Sequence, residues 1–162
     1  MNLHPLVQPL ESILGSWNGI GRGHYPTITD FDYTETITFD AIPGKPVLRY
    51  EQKTASPSGS PMHTELGFLR PVGEGRVEFI IAQPTGQTEL LEGTVEERED
   101  GTLHLRFAES RVLNSSTAKT VDSTTRTYVF NALRSSVHTE FHMSAVEQSM
   151  QEHLVSDLSK FL

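Results

Sequence analysis

The 162-residue sequence predicts an all-β fold: a closed antiparallel barrel of about ten strands with a short N-terminal helical turn. Three observations carry this reading. Apolar and polar residues alternate with period two in one segment after another, the mark of strands with one wet face. The segments are joined by only a few turn-forming residues, and connections that short link antiparallel neighbours, because parallel pairing needs a crossover of a dozen residues or more. A sheet of that many strands in a chain of one-domain length twists, and closure removes both of its exposed edges.

Taken in order, Pro9 to Leu14 reads as a helical turn, with Leu10, Ile13 and Leu14 ahead of Gly15 as a glycine cap, placed to plug one barrel end. Trp17 to Gly23 is the first strand. From Phe31 to Asp40 the odd positions Phe31, Tyr33, Glu35, Ile37 and Phe39 are mostly apolar and the even ones all polar, which makes the second. Further strands fall near 46–55, 62–70, 76–83, 87–97, 102–109, 119–133 and 136–146, divided by turn chemistry such as Pro43-Gly44-Lys45-Pro46, Ser58-Gly59-Ser60-Pro61 and Asp100-Gly101. Asn114 to Ala118 is a small polar loop. The tail from Val146 has two readings, an i, i+4 helical stripe of Val146, Met150, Leu154 and Leu158 or a last strand that closes the barrel on the first. Residues 1–162 make one barrel domain. Eight strands already enclose room for one small ligand, so nine or ten leave a cavity.

Composition excludes several kinds of function. There is no cysteine, hence no disulfide framework, thiolate metal site, cysteine-held iron–sulfur cluster or Cys nucleophile. A formal net charge of -8 opposes binding to nucleic acid or to an anionic membrane surface. No apolar run approaches a membrane span, and the first residues carry no signal or transit pattern, so the expected address is cytoplasmic. A homodimer is compatible with such a chain.

Two local patterns invite chemistry. Gly15, Gly19, Gly21 and Gly23 do not make a phosphate loop, since no helix follows; their spacing instead strips one face of a strand so that the strand bends or another group approaches. His138, Glu140 and His142 share one strand face, but the opposite face, Val137, Thr139, Phe141 and Met143, is the more apolar and is the expected cavity lining, which leaves the histidines in solvent. His4, His24 and His104 read as surface residues. Strict alternation lets only one of Met62 and His63 face inward unless a bulge intervenes. By composition alone His153 reads as a satisfied or exposed histidine near the end of a barrel chain.

Gly15-x-Trp17-x-Gly19-x-Gly21-x-Gly23, Tyr25-Pro26-Thr27-Ile28, Phe31-x-Tyr33-x-Glu35, Gly44-Lys45-Pro46, Pro61-Met62-His63-x-Glu65-x-Gly67 and Glu92-Gly93 occur in an order that resembles the nitrobindin family. The resemblance runs from about residue 12 to the C-terminus. It implies a ten-stranded barrel similar to lipocalins and fatty-acid-binding proteins, holding one ferric b-type haem per chain, binding nitric oxide, and isomerising peroxynitrite to nitrate. His153-Leu154-Val155-Ser156-Asp157-Leu158 matches the family's His-Leu-x-Ala-x-Leu except at Ser156, and the family's preceding Val-Gly-x-Pro-Leu is here Val146-Glu147-Gln148-Ser149-Met150. Carried over, His153 is the axial iron ligand and catalytic centre, and Thr27, Met62, His63 and Met143 are haem contacts.

The rival expectation is a non-enzymatic carrier of a fatty acid or other apolar small molecule. Arg126-Thr127-Tyr128 has the Arg-x-Tyr spacing of a carboxylate clamp, although the face it shares with Phe130 is expected to point outward, leaving Arg126 an external charge.

Overall fold

In a computed structural model of the chain, which describes residues 1–161, ten strands close into one antiparallel barrel. They are β1 (Gly15–Gly23), β2 (Phe31–Ala41), β3 (Leu48–Ala55), β4 (Pro61–Gly73), β5 (Arg76–Ala82), β6 (Gln87–Glu97), β7 (Leu103–Asn114), β8 (Val121–Phe130), β9 (Ser136–Ala145) and β10 (Gln151–Phe161). Each strand pairs with its sequence neighbour, and β1 pairs with β10 from Ser16↔Phe161 to Gly23↔Leu154 to seal the sheet. The ambiguous tail is therefore the closing strand. A helix there would have left β1 as an open edge, whereas the period-two set Leu154, Ser156 and Leu158 turns inward and completes the wall. Strand β8 stops at Phe130, short of the expected 133, because the Asn131 carboxamide oxygen accepts the N–H groups of Ser135 and Ser136 and forms a side-chain-stapled turn. Among the described residues no helix is long and apolar enough to cross a membrane.

One barrel end is plugged. A 3-10 turn, Gln8–Ile13, buries Leu10 and Ile13, and with Val7 they pack on the core. The Trp17 indole N–H donates to the Ile13 carbonyl at 2.9 Å, and its ring meets Phe130 edge-on at 5.0 Å. Burying each such side chain contributes about 1.5–3 kcal/mol. Above the plug, Phe39, Tyr50, Leu69, Phe79, Leu91, Phe107 and Leu158 fill the lower barrel.

The glycine spacing of β1 has two separate causes. A Cβ on Gly19 would lie 2.1 Å from the Asp157 carbonyl oxygen, so β10 can approach only a bare backbone at the seam. At Gly21 and Gly23 it would lie 2.3 Å from the Tyr33 ring and 2.2 Å from the Phe31 ring, so the two aromatics of β2 lie across the glycines.

Candidate haem site

The plug leaves the other barrel end open above a cavity of about 560 Å³, within the range of small-molecule and cofactor sites. Its upper wall is largely apolar, with Phe31, Met62, Phe141, Met143, Val146 and Leu154. Its floor is polar.

His153 lines the upper wall through a local irregularity. Glu152 pairs with His142 and Leu154 with Phe141, so His153 is the extra residue of a β-bulge. Leu154, Ser156 and Leu158 are the inward set of β10, and alternation alone would turn His153 outward; the bulge brings both His153 and Leu154 to the cavity. A second bulge sets Met62 and His63 together opposite Thr54, so both reach the cavity despite being adjacent. Met143 joins them from the apolar face of β9, along with Thr139 and Phe141.

The imidazole of His153 is held from three directions. Tyr25 meets it edge-on with ring centroids 5.4 Å apart, and Phe141 and Phe31 stand at 6.1 and 6.4 Å. Its Nδ1 lies 2.9 Å from the His24 carbonyl oxygen, which can only accept, so Nδ1 carries the proton. Nε2 on the opposite edge is then an unprotonated lone pair, and among the described residues no group hydrogen-bonds it. Burial pushes the His153 pKa down, against the His24 carbonyl, which favours the imidazolium, so the ring is neutral near pH 7. A neutral imidazole with one nitrogen tied to a carbonyl is the form that ligates a metal. Tyr25 is itself fixed: its hydroxyl accepts the Ala145 N–H at 3.0 Å and shares its proton between the carbonyls of Met143 and Ala145 at 3.2 and 3.3 Å.

Thr27 stands apart from these residues. It is exposed in the loop between β1 and β2 and is not part of the cavity wall, so any contact it makes with a guest is made at the rim. His138 points outward, as expected, its Nδ1 2.7 Å from Asp157 and its Nε2 3.4 Å from Glu140, and among the described residues no three His, Asp or Glu side chains are placed to hold a metal ion.

The expectation for Arg126 is corrected. Arg126 and Tyr128 face inward and are buried, because Phe130 on the same face belongs to the core. The guanidinium stacks over Phe141 at 4.7 Å, but both terminal nitrogens are taken: Nη1 donates to Glu65 at 2.6 Å, and Nη2 donates to Glu65 at 3.2 Å and to Glu89 at 2.6 Å. A clamp for a fatty-acid carboxylate needs those donors free. Burial alone would raise the Glu65 pKa, but Arg126 beside it, with hydrogen bonds from His63 and Tyr50, holds the carboxyl well below its usual range.

A family model described as a THAP4-like, heme-binding beta-barrel domain matches residues 6–160. The chain belongs to the nitrobindin family. Members similar to this nitrobindin include a protein named peroxynitrite isomerase from Nocardia farcinica, 40% identical over 98% of this chain and 92% of its own length. Another, named peroxynitrite isomerase 2, from Mycobacterium avium, is 38% identical over 98% of this chain and 97% of its own. The crystal structure of Rv2717c from M. tuberculosis superposes with a TM-score of 0.93 at 36% identity, covering 99% of this chain and 100% of that one.

Sequence reasoning missed three parts of this site. His24 was read as a surface residue, yet its main chain holds His153 and its Nε2 pairs with Glu152 at 3.2 Å. Tyr25 was seen only as a motif letter. The inward position of Glu35 in the β2 alternation was visible and was the available clue to a polar floor.

Proposed function

We propose that this nitrobindin is a haem-dependent peroxynitrite isomerase, with His153 the protein ligand of a ferric b-type haem, one per chain. The observation that carries this is the state of His153: neutral, with Nδ1 tied to the His24 carbonyl and Nε2 free, on a bulge in the wall of a cofactor-sized cavity. The relatives named peroxynitrite isomerase, similar over nearly the whole chain, support the reaction. Held there by His153, a haem would supply the iron chemistry for the rearrangement of peroxynitrite to nitrate.

The chain's own residues do the rest. The His24 carbonyl keeps Nδ1 protonated and so keeps Nε2 a lone-pair donor. Tyr25, Phe31 and Phe141 stop the ring from turning. Met62, Met143 and His63 offer soft and aromatic surface to a planar guest, and Thr27 offers a contact at the rim. The floor presents no free terminal guanidinium nitrogen, so it does not draw an anion past the upper cavity. Nitric oxide binding and a cytoplasmic address belong to the same proposal, as does a homodimer, which sedimentation checks.

Stopped-flow decay of peroxynitrite tests this reading. The rate should rise in proportion to the haem-loaded fraction, with product diverted to nitrate and cyanide suppressing both effects. A decay rate indifferent to haem loading would refute the isomerase assignment.

A further inference from the structure

The cavity wall carries thioethers whose own chemistry the isomerase reading does not use. Of the four methionines, Met1 and Met150 lie outside the wall, at 85% and 41% exposure, and Met143 lines it half-buried. Met62 combines the two situations. It lines the cavity and is 46% exposed, so its side chain stands at the mouth, open to solvent on one side and to the guest space on the other.

The main chain beneath Met62 is pinned on both sides. Pro61, with φ fixed by its ring, is in register with Ala55, and the His63 N–H donates to Thr54 Oγ1 at 3.0 Å. The bulge opposite Thr54 is what brings Met62 to the wall, so the residue cannot leave the mouth without breaking that pairing. His63 is committed too, since its Nε2–H is given to Glu65 at 3.3 Å.

A thioether accepts an oxygen atom from a peroxide. The O–O bond breaks, an S–O bond forms, the sulfur is oxidised by two electrons and the peroxide is reduced, leaving as nitrite from peroxynitrite or as water from hydrogen peroxide. A polar, chiral sulfoxide then replaces a flexible apolar side chain. A planar apolar guest that packs on it must bury the new dipole without a donor or lose the contact as the side chain turns to water.

We propose that Met62 is a reversible oxidation site at the cavity mouth, where oxygen transfer from a peroxide weakens the hold on a planar apolar guest. The proposal rests on the haem reading for the identity of that guest, not for the chemistry at sulfur.

The test treats the full chain, before hemin is added, with hydrogen peroxide and maps sulfoxide against time by peptide mass spectrometry. Hemin, and separately anilinonaphthalene sulfonate as a second planar guest, are titrated into the same samples. Met62 should be oxidised faster than Met143, and affinity for both guests should fall by about tenfold in step with the Met62 sulfoxide, the scale of one uncompensated polar group. Met62→Leu should hold its own starting affinity through the treatment, whereas Met150→Leu should lose affinity as the parent does. Methionine sulfoxide reductase should restore the parent. Met143 oxidised first, affinities indifferent to the Met62 sulfoxide, or a loss that persists in Met62→Leu would each overturn the proposal. An untreated chain that binds no hemin would refute the haem reading instead, and the anilinonaphthalene titration would still decide the role of Met62.

Discussion

His153 and His24 hold each other through a reciprocal pair of hydrogen bonds. The His24 N–H donates to the His153 carbonyl oxygen at 2.9 Å, and His153 Nδ1 donates to the His24 carbonyl oxygen at 2.9 Å. The main-chain bond continues the β1–β10 pairing one step past the bulge, and the side-chain bond uses that anchored carbonyl to select the tautomer. Tyr25, the next residue, packs on the same ring and ties the loop to the end of β9. Tyr25→Phe keeps the ring but leaves the buried Ala145 N–H without its acceptor. It should cost about 1–3 kcal/mol in urea unfolding and speed hemin dissociation. Unchanged stability and an unchanged hemin off-rate would show that the hydroxyl is idle.

The loop that delivers His153 is held in an unfavourable conformation. Val146 and Glu147 have φ of 50° and 64°, and Glu147 stands where the family pattern has glycine. A side chain in this left-handed region costs roughly 1–2 kcal/mol, part of which glycine's greater freedom in the unfolded chain takes back. Glu147→Gly should therefore stabilise the protein by about 0.5–1 kcal/mol, visible as a higher denaturation midpoint with an unchanged m-value. A lower midpoint contradicts this.

The two kinds of glycine contact in β1 predict different outcomes. Gly19→Ala drives a methyl into the Asp157 backbone and should open the seam between β1 and β10, detected as rapid amide exchange along β10. Gly21→Ala meets only the Tyr33 ring, a side chain, and should be the milder change. The reverse order would mean the seam tolerates the methyl better than the ring does.

Glu65 and Arg126 predict an acid-sensitive term. The folded Glu65 carboxyl lies below its ordinary value near 4.5, so its stabilisation is complete above that pH and is lost as pH falls toward the folded value. Glu35, pushed up by burial, works oppositely: its contribution is present at low pH and declines as pH rises through its raised folded value. Glu65→Gln leaves Arg126 short of a partner and should cost about 3–5 kcal/mol at pH 7. Its deficit relative to the parent should narrow as pH drops below 4.5 in chemical-denaturation series. A deficit constant with pH would mean Glu65 is not ionised in the fold.

The barrel was legible because period-two alternation and short turns leave little choice of topology, and the inward positions along β2 could be counted directly. The orientation of His153 was not legible. Alternation from Ser156 and Leu158 points it outward, and a bulge is a single-residue event with no composition of its own. The same holds for Met62 and His63, whose joint access needed the bulge opposite Thr54. Arg126 was misjudged because an Arg in an alternating strand looks like a solvent face. Its partners, Glu65 and Glu89, lie 61 and 37 residues away, and only the closed barrel brings them together.

The absorption spectrum of the ferric protein after addition of hemin tests the central claim most directly. His153→Ala should lose the Soret band of the bound form or shift it to that of loosely held hemin, while His138→Ala and His142→Ala, whose side chains lie on the other face of β9, leave it intact. A His153→Ala protein that kept the parent spectrum and hemin affinity would contradict the assignment of His153 as the iron ligand.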